Sequence, residues 1–165
     1  MIINAIDKEI LAFLSKHTVI GCSINQIALA LHKAYPHINA KVNVLLQERI
    51  LKKNIIGKSH VCFLNLRNPI TRYALAIIET EKARVFLSKH SEIKKTIKQV
   101  IKEHTLQTIF ALPESVYMVT DETFFHKKIK NVSKSELVQI TMKHKDITVL
   151  YKPENYYSIL KKTQT

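Results

Sequence analysis

Side chains able to contact a nucleic acid are concentrated between residues 37 and 60. Asparagine and glutamine pair with the edge of adenine, and lysine binds guanine or phosphate. Most of the amide side chains lie before residue 50 and are interleaved with small residues. The stretch after residue 50 is richer in lysine. We predict ten DNA-binding residues, namely His37, Asn39, Ala40, Lys41, Asn43, Gln47, Lys52, Lys53, Lys58 and His60.

Carboxylates that could hold a catalytic metal ion are few and poorly spaced. Asp121 and Glu122 are adjacent, so on a strand they point to opposite faces, and with Glu114 they are expected at the surface. His60 and Cys62 could share a strand face, but no second ligand pair completes a metal site. The chain has only two glycines, Gly21 and Gly57, and a Gly-rich phosphate loop needs at least two within a few residues. Such a loop is therefore excluded. We therefore expect no catalytic residue, no metal and no cofactor.

The charge balance points to a polyanionic partner. The chain has 165 residues, with 26 Lys and Arg against 13 Asp and Glu, which gives a formal net charge of +13. A positive field of this size favours nucleic acid first and an anionic membrane second. The 22 lysines, 22 isoleucines and four arginines are also what an AT-rich genome tends to encode, so coding bias explains part of the basicity.

Nothing in the sequence indicates export or a membrane anchor. The first residues lack the basic region and apolar core of a secretory signal, and no apolar run approaches the ~20 residues that span a bilayer. Cys22 and Cys62 are too few for a disulfide framework. The sequence therefore predicts a cytoplasmic protein with reduced thiols and no membrane partner.

The elements that must position the amides read as three helices. A first helix fits residues 7–16, and Ser23 with Gln26 has the capping-box pattern that starts a second helix. Pro36 suits the first position of a third helix, since its missing N–H would have no partner there. The predicted inward side of the third helix consists of Ile38, Val42 and Leu45.

Two strand-like runs follow the third helix, residues 50–56 and 59–66, around Gly57 and Lys58. Three helices and a hairpin within about 60 residues are the winged variant of the helix-turn-helix. In that arrangement the third helix enters the major groove and the hairpin tip meets the sugar–phosphate backbone.

Residues 38–51 carry the motif I-x3-V-x2-L-x3-R-I-L, which resembles the recognition helix and exit of archaeal winged-helix transcriptional regulators. Residues 56–69 resemble their wing and its exit into a helix. The resemblance implies a DNA-binding domain over residues 1–68. Arg49 stands where such proteins usually have glycine, so the end of the helix is expected to differ locally.

Residues 69–165 are predicted to form a small α/β domain within an α+β chain. Asn68-Pro69 starts a helix to about residue 87, and Ser91 caps a helix over 92–104. Residues 121–134 are poorly patterned, and 135–144 fit either a helix or a strand. The remaining predicted elements are strands at 106–112, 116–120 and 147–151, and a last helix from Pro153.

Residues 91–112 and 144–156 resemble a minimal nucleotidyltransferase domain, found after the winged helix in some archaeal regulators. Such enzymes use a Gly-Ser turn and an Asp-x-Asp pair to hold phosphates and two metal ions. Neither is present here, because the corresponding turn is 111–115 and no glycine follows Gly57. The domain is therefore expected to be inactive and to serve dimerisation or partner binding, with residues 70–78 as a candidate surface.

Four lysines on the predicted 92–104 helix are either a solvated face or a second phosphate-contacting surface; they are Lys94, Lys95, Lys98 and Lys102. The favoured function is a regulator of transcription that binds double-stranded DNA, with a chromatin or replication role close behind. A homodimer would match two-fold operators. The alternatives are a divergent nucleotidyltransferase acting on RNA or a protein, and a winged helix that binds protein.

Overall fold

The first part of the chain folds as three helices and a three-stranded sheet. The structure is a computed structural model that describes residues 3–18, 20–57, 59–122 and 126–161. The sheet is antiparallel with strand order β1-β3-β2. The elements are α1 (Ala5–Ser15), β1 (Cys22–Ser23), α2 (Ile24–Ala30), α3 (Tyr35–Gln47), β2 (Leu51–Ile56) and β3 (Ser59–Leu64).

A long helix, α4 (Pro69–Lys89), follows β3. Its start is the predicted Asn-Pro signal, because the Asn68 side chain accepts a hydrogen bond from the backbone N–H of Ile70 at 2.9 Å. The chain divides into two compact units between Leu75 and Ala76, inside this helix. The predicted boundary at residues 68 and 69 lies at the start of the helix instead.

Local capping signals start the first helices. The predicted capping box of α2 is present, since Gln26 N donates to Ser23 Oγ at 3.2 Å and Ser23 N donates to Gln26 Oε1 at 2.8 Å. A second capping box, between Asn4 and Asp7, starts α1 two residues before the predicted start. Helix α3 begins at Tyr35, so Pro36 lies in its first turn rather than at its first position.

The core of the first unit contains the apolar residues that the periodicity placed inward. The side chains of α1, α2 and α3 that face this core are buried. The fully or nearly fully buried residues are Ile10, Leu11, Leu14, Ile27, Ile38, Val42, Leu45, Ile50, Cys62, Leu64 and Leu66. Leu31 has the helical spacing of the inward residues Ile24, Ile27 and Ala28, but it is only half-buried because it lies just beyond the end of α2.

Strand β1 consists of only two residues and was not predicted. It pairs with β3 so that Cys22 lies opposite Cys62, and both thiols are buried without forming a disulfide. Burial raises the pKa of the Cys62 thiol, and the positive charge of Lys53 partly offsets this increase. Gly21 has a φ of +70°, and a Cβ there would lie 2.8 Å from the carbonyl oxygen of Cys62. Glycine at this position is therefore what lets β1 approach β3.

The turn between α3 and β2 is left-handed at Arg49, whose φ is +57°. Its carbonyl groups are held by side chains that follow the hairpin. The Arg49 oxygen accepts from Asn65 Nδ2 at 2.8 Å and from Asn68 Nδ2 at 3.1 Å. The Ile50 oxygen accepts from the hydroxyl of the buried Thr71 at 3.1 Å. The local difference expected at Arg49 is thus a left-handed residue without the glycine that usually occupies such a position.

The second unit, from Ala76 onward, contains a four-stranded mixed sheet with strand order β6-β5-β4-β7. Strand β4 is antiparallel to β5 and β7, whereas β5 and β6 are parallel. After α4 the elements are α5 (Ser91–Glu103), β4 (Thr108–Leu112), β5 (Ser115–Val119), β6 (Ile129–Val132), α6 (Lys134–Lys143), β7 (Thr148–Tyr151) and α7 (Pro153–Leu160).

Three features of the second unit differ from the sequence predictions or resolve them. Strand β6 lies inside the region 121–134 that lacked a pattern. The segment left open as helix or strand is a helix, started by a capping box between Ser133 and Glu136. The cap of α5 is His90 and not Ser91, which is the first residue of the helix.

A buried carboxylate ties α4 to the second unit's sheet and last helix. Glu79 is 2% exposed and accepts from Lys82 Nζ at 2.7 Å. It also accepts from the backbone N–H of Val149 at 3.2 Å and from the hydroxyl of Tyr157 at 3.3 Å. These donors compensate for the loss of water around the buried oxygens.

We predict that Arg49→Gly raises the opening free energy of the first unit by about 0.5–1 kcal/mol, because glycine adopts the left-handed conformation without the Cβ clash. Hydrogen exchange at the buried amides of Val42 and Leu64 measures this free energy. Arg49→Ala, which keeps the Cβ, is the matched control and should show little gain. Equal stabilisation by both substitutions would contradict the assignment of strain to Arg49.

Candidate nucleic-acid interface

The exposed side of α3 is set by its buried side. Ile38, Val42 and Leu45 are fully buried, so the opposite side of the helix must face outward. Five residues occupy that side and are exposed, and all of them except Val44 belong to the predicted DNA-binding residues. They are His37, Ala40, Asn43, Val44 and Gln47.

Asn39 and Lys41 lie at the two margins of this exposed face. At 100° per residue they fall between the buried and the outward sides of α3, and both are half-buried. Their polar ends are therefore placed to extend the face sideways rather than to form its centre. The predicted set on α3 is thus brought together on one helix, with an uncharged centre and one cation at the edge.

Sequence reasoning missed Tyr35, which lies just before Pro36, the predicted first position of the third helix. Tyr35 is the first residue of α3 and is 47% exposed. The first residues of a recognition helix are those that contact base edges, and apolar groups there contact the methyl group of thymine. The available signal was a large aromatic residue immediately before Pro36, at the start of a helix.

The hairpin of β2 and β3 carries the second predicted set. Lys53 is exposed, Lys52 is half-buried and His60 is exposed. Lys53 lies opposite Cys62 and Lys52 opposite Phe63, so the two lysines point to different faces of the hairpin. Lys58 lies outside the described residues.

The end of the hairpin also presents apolar side chains that the sequence analysis did not single out. Ile55 is 70% exposed and Ile56 is 56% exposed, and they pair with His60 and Ser59 across the hairpin. Two exposed isoleucines beside Gly57 were visible in the sequence as a β-branched run interrupted by the turn. Because successive residues of a strand point to opposite faces, each face of the hairpin presents one exposed isoleucine near its end.

The electrostatics of the first unit favour an anionic partner. Residues 1–75 contain 10 Lys and Arg against 3 Asp and Glu, a formal charge of +7, and no acidic residue occurs between Glu48 and Glu79. Lys33 is paired with Glu9 at 3.1 Å. In contrast, no ion pair joins Lys41, Lys52 or Lys53 to another residue that the structure describes. These three cations are available to phosphate.

The adjacent carboxylates Asp121 and Glu122 of the second unit contact neighbouring residues. Asp121 accepts from Gln107 Nε2 and lies 3.5 Å from Lys134 Nζ. Glu122 accepts from Thr105 N at 3.3 Å and contacts His104 Nδ1 at 3.1 Å. Within the described ranges, no three His, Cys, Asp or Glu side chains are grouped so as to hold a metal ion.

His60 and Cys62, predicted to share a strand face, are not placed to bind a metal ion together. Cys62 is fully buried in the sheet, whereas His60 is exposed near the end of the hairpin. A metal ion bound by the thiol would have to enter the core. Cys62 is therefore a core residue of the hairpin.

The first unit has the winged-helix fold, with α3 as its third helix and the hairpin as its wing. No protein-family model and no curated protein matches this sequence. Among solved structures, a glycine-to-lysine mutant of MepR from S. aureus is similar, at 17% identity and a TM-score of 0.42. The match covers 61% of this chain and 79% of that chain. A likeness this distant assigns the chain to no family.

No helix in the described part of the chain is both long and apolar enough to cross a membrane.

Proposed function

We propose that this protein binds double-stranded DNA and regulates transcription, with α3 in the major groove and the wing on the sugar–phosphate backbone. The observation that carries the proposal is the exposed face of α3, where two amides lie beside an imidazole and two apolar side chains, followed by a wing without acidic residues. Such a face suits direct readout of A·T pairs, since amides pair with the edge of adenine and apolar groups contact the methyl group of thymine.

Each part of the interface has a distinct role in this proposal. Asn43 and Gln47 pair with adenine edges, while Ala40 and Val44 contact thymine methyl groups. Lys52 and Lys53 bind phosphate and supply affinity that does not depend on sequence. A sequence-tolerant role in chromatin or replication would use the same phosphate contacts with a weaker contribution from the amides.

A winged helix that binds protein is the second candidate, and the exposed isoleucines of the wing favour it. Ile55 and Ile56 would suit an apolar protein surface. The two candidates differ in their response to salt. Binding to phosphate weakens steeply as salt concentration rises, whereas an apolar protein contact does not.

We further propose that the second unit is not catalytic. In this proposal it is a degenerate nucleotidyltransferase-like domain that has lost the activity. The engagement of Asp121 with Gln107 and Lys134, and of Glu122 with His104, supports this. The alternative is a divergent transferase. Incubation with labelled nucleotides and Mg²⁺ tests it, and a transfer that Asp121→Ala abolishes would contradict the proposal.

We propose a homodimer formed through the exposed face of α4, the surface predicted at residues 70–78. Within residues 70–78, three large apolar residues are exposed, namely Ile70, Tyr73 and Ile77. A second copy of the chain is the occupant that suits a DNA-binding protein, because two-fold symmetry in the protein mirrors the symmetry of typical operators.

Tyr73→Glu should weaken this dimer about 30-fold, since it places a charge in a buried apolar contact and removes an aromatic anchor worth ~2 kcal/mol. Sedimentation over a range of protein concentrations measures the change. Gln139→Glu adds the same charge at an exposed position of α6 and is expected to leave the dimer intact. A wild-type chain that sediments as a monomer at every concentration would rule the dimer out.

Two substitutions should separate base readout from phosphate binding. Asn43→Ala is expected to relax sequence preference, at a cost of about 1–3 kcal/mol on the preferred duplex and little on others. Lys53→Gln is expected to weaken all duplexes alike and to reduce the salt slope by about 1. Binding-site selection provides the preferred duplex, and titrations at several salt concentrations give both quantities. Equal losses on every sequence for Asn43→Ala would contradict base readout by α3.

A further inference from the structure

Helix α5 carries four exposed lysines on one side, which we call the α5 stripe: Lys94, Lys95, Lys98 and Lys102. Lys94, Lys98 and Lys102 are spaced four residues apart, and Lys95 falls on the same side of the helix. Adjacent cations in the row are therefore about 6 Å apart along the helix axis. No acidic residue interrupts the row.

Three lysines of the α5 stripe have no partner within the described chain, and Lys95 has only an electrostatic attraction to Glu92, three residues before it. No ion pair or hydrogen bond joins any of its four side chains to another described residue. The two acids of the helix have their nearest polar contacts outside the stripe, Glu92 with Lys128 at 2.9 Å and Glu103 with Gln99 at 2.9 Å. Like charges spaced three and four residues apart on a helix repel one another, so the stripe works against the stability of α5. An external anion would relieve that repulsion.

The opposite side of α5 argues against an anionic membrane as the partner of the stripe. Ile97 and Val100 are buried in the core of the second unit, and Ile93 and Ile101 pack against that core. A basic amphipathic helix binds a membrane by inserting its apolar face, but this face is already covered. No large apolar residue on α5 is exposed. The stripe therefore fits a charged backbone better than a lipid surface.

We propose that the α5 stripe is a second nucleic-acid contact, which binds the phosphate backbone of duplex DNA without reading its sequence. The choice of duplex DNA rests on the proposed function of the first unit. A row of cations spanning about 12 Å along α5 faces several phosphates, since B-DNA carries one charge per about 1.7 Å of its axis. The stripe would add affinity equally on every sequence and leave discrimination to α3.

The test compares two variants of the full chain that lose the same formal charge. The stripe variant has all four α5 lysines changed to glutamine. The matched control has four exposed lysines of the second unit changed to glutamine, namely Lys127, Lys143, Lys145 and Lys161. Binding to a duplex of arbitrary sequence is measured as a function of salt concentration.

The slope of log affinity against log salt should become shallower by about 3.6 for the stripe variant, because each of the four phosphate contacts contributes about 0.9. The control should change the slope by less than 1, because its lysines are not in one row. The thermal midpoint of the stripe variant is expected to equal or exceed that of the wild type, since the repulsion is gone. A midpoint that holds shows that lost binding is not lost folding.

Four results would overturn the proposal. Equal slope changes in both variants would show that DNA binding depends on the net charge of the protein and not on the position of the stripe. If the stripe variant keeps the wild-type slope while Lys53→Gln reduces it, the stripe does not bind DNA. The proposed DNA binding by the winged helix would then still stand. Wild-type binding to phosphatidylserine vesicles that only the stripe variant loses, with DNA binding unchanged, would assign the stripe to a membrane. A wild-type chain that binds no duplex at any salt concentration would remove the proposed function as well.

Discussion

The geometry of the first unit depends on how the chain leaves α3. Arg49 turns the backbone into a left-handed conformation, and the carbonyl groups beside it are held by Asn65, Asn68 and Thr71. These three side chains lie after the wing, so the last turn of the third helix is fixed by residues that the chain reaches only after completing the hairpin. The direction of α3 and the start of the wing are thereby set together, and the proposed readout requires both.

Much of the first unit could be predicted because its signals are local. The capping box at Ser23 and the buried positions of Ile38, Val42 and Leu45 follow from spacing alone. Strand β1 could not be predicted, because two residues carry no period and Cys22–Ser23 forms a strand only by pairing with β3. The exposed face of α3 was predictable as the complement of the buried one, whereas Tyr35 was lost through a one-residue error at the helix start.

The second unit was harder because its sheet depends on distant pairings. Strand β6 alternates poorly, since its middle residues are exposed, and it becomes a strand by running parallel to β5. The capping box at Ser133 and Glu136 was available in the sequence and would have decided α6 in favour of a helix. The partners of Asp121, Glu122 and Glu79 were beyond reach, because they come from elements far apart in the chain.

The central claim is that the outward side of α3 lies against base edges. Nuclear magnetic resonance of the isotope-labelled chain, titrated with a duplex that it selects, tests this residue by residue. We expect the side-chain amide signals of Asn43 and Gln47 to shift and to show contacts with base protons, while the buried Val42 and Leu45 change little. Shifts confined to the wing or to the second unit, with the α3 amides unaffected at saturation, would contradict the claim.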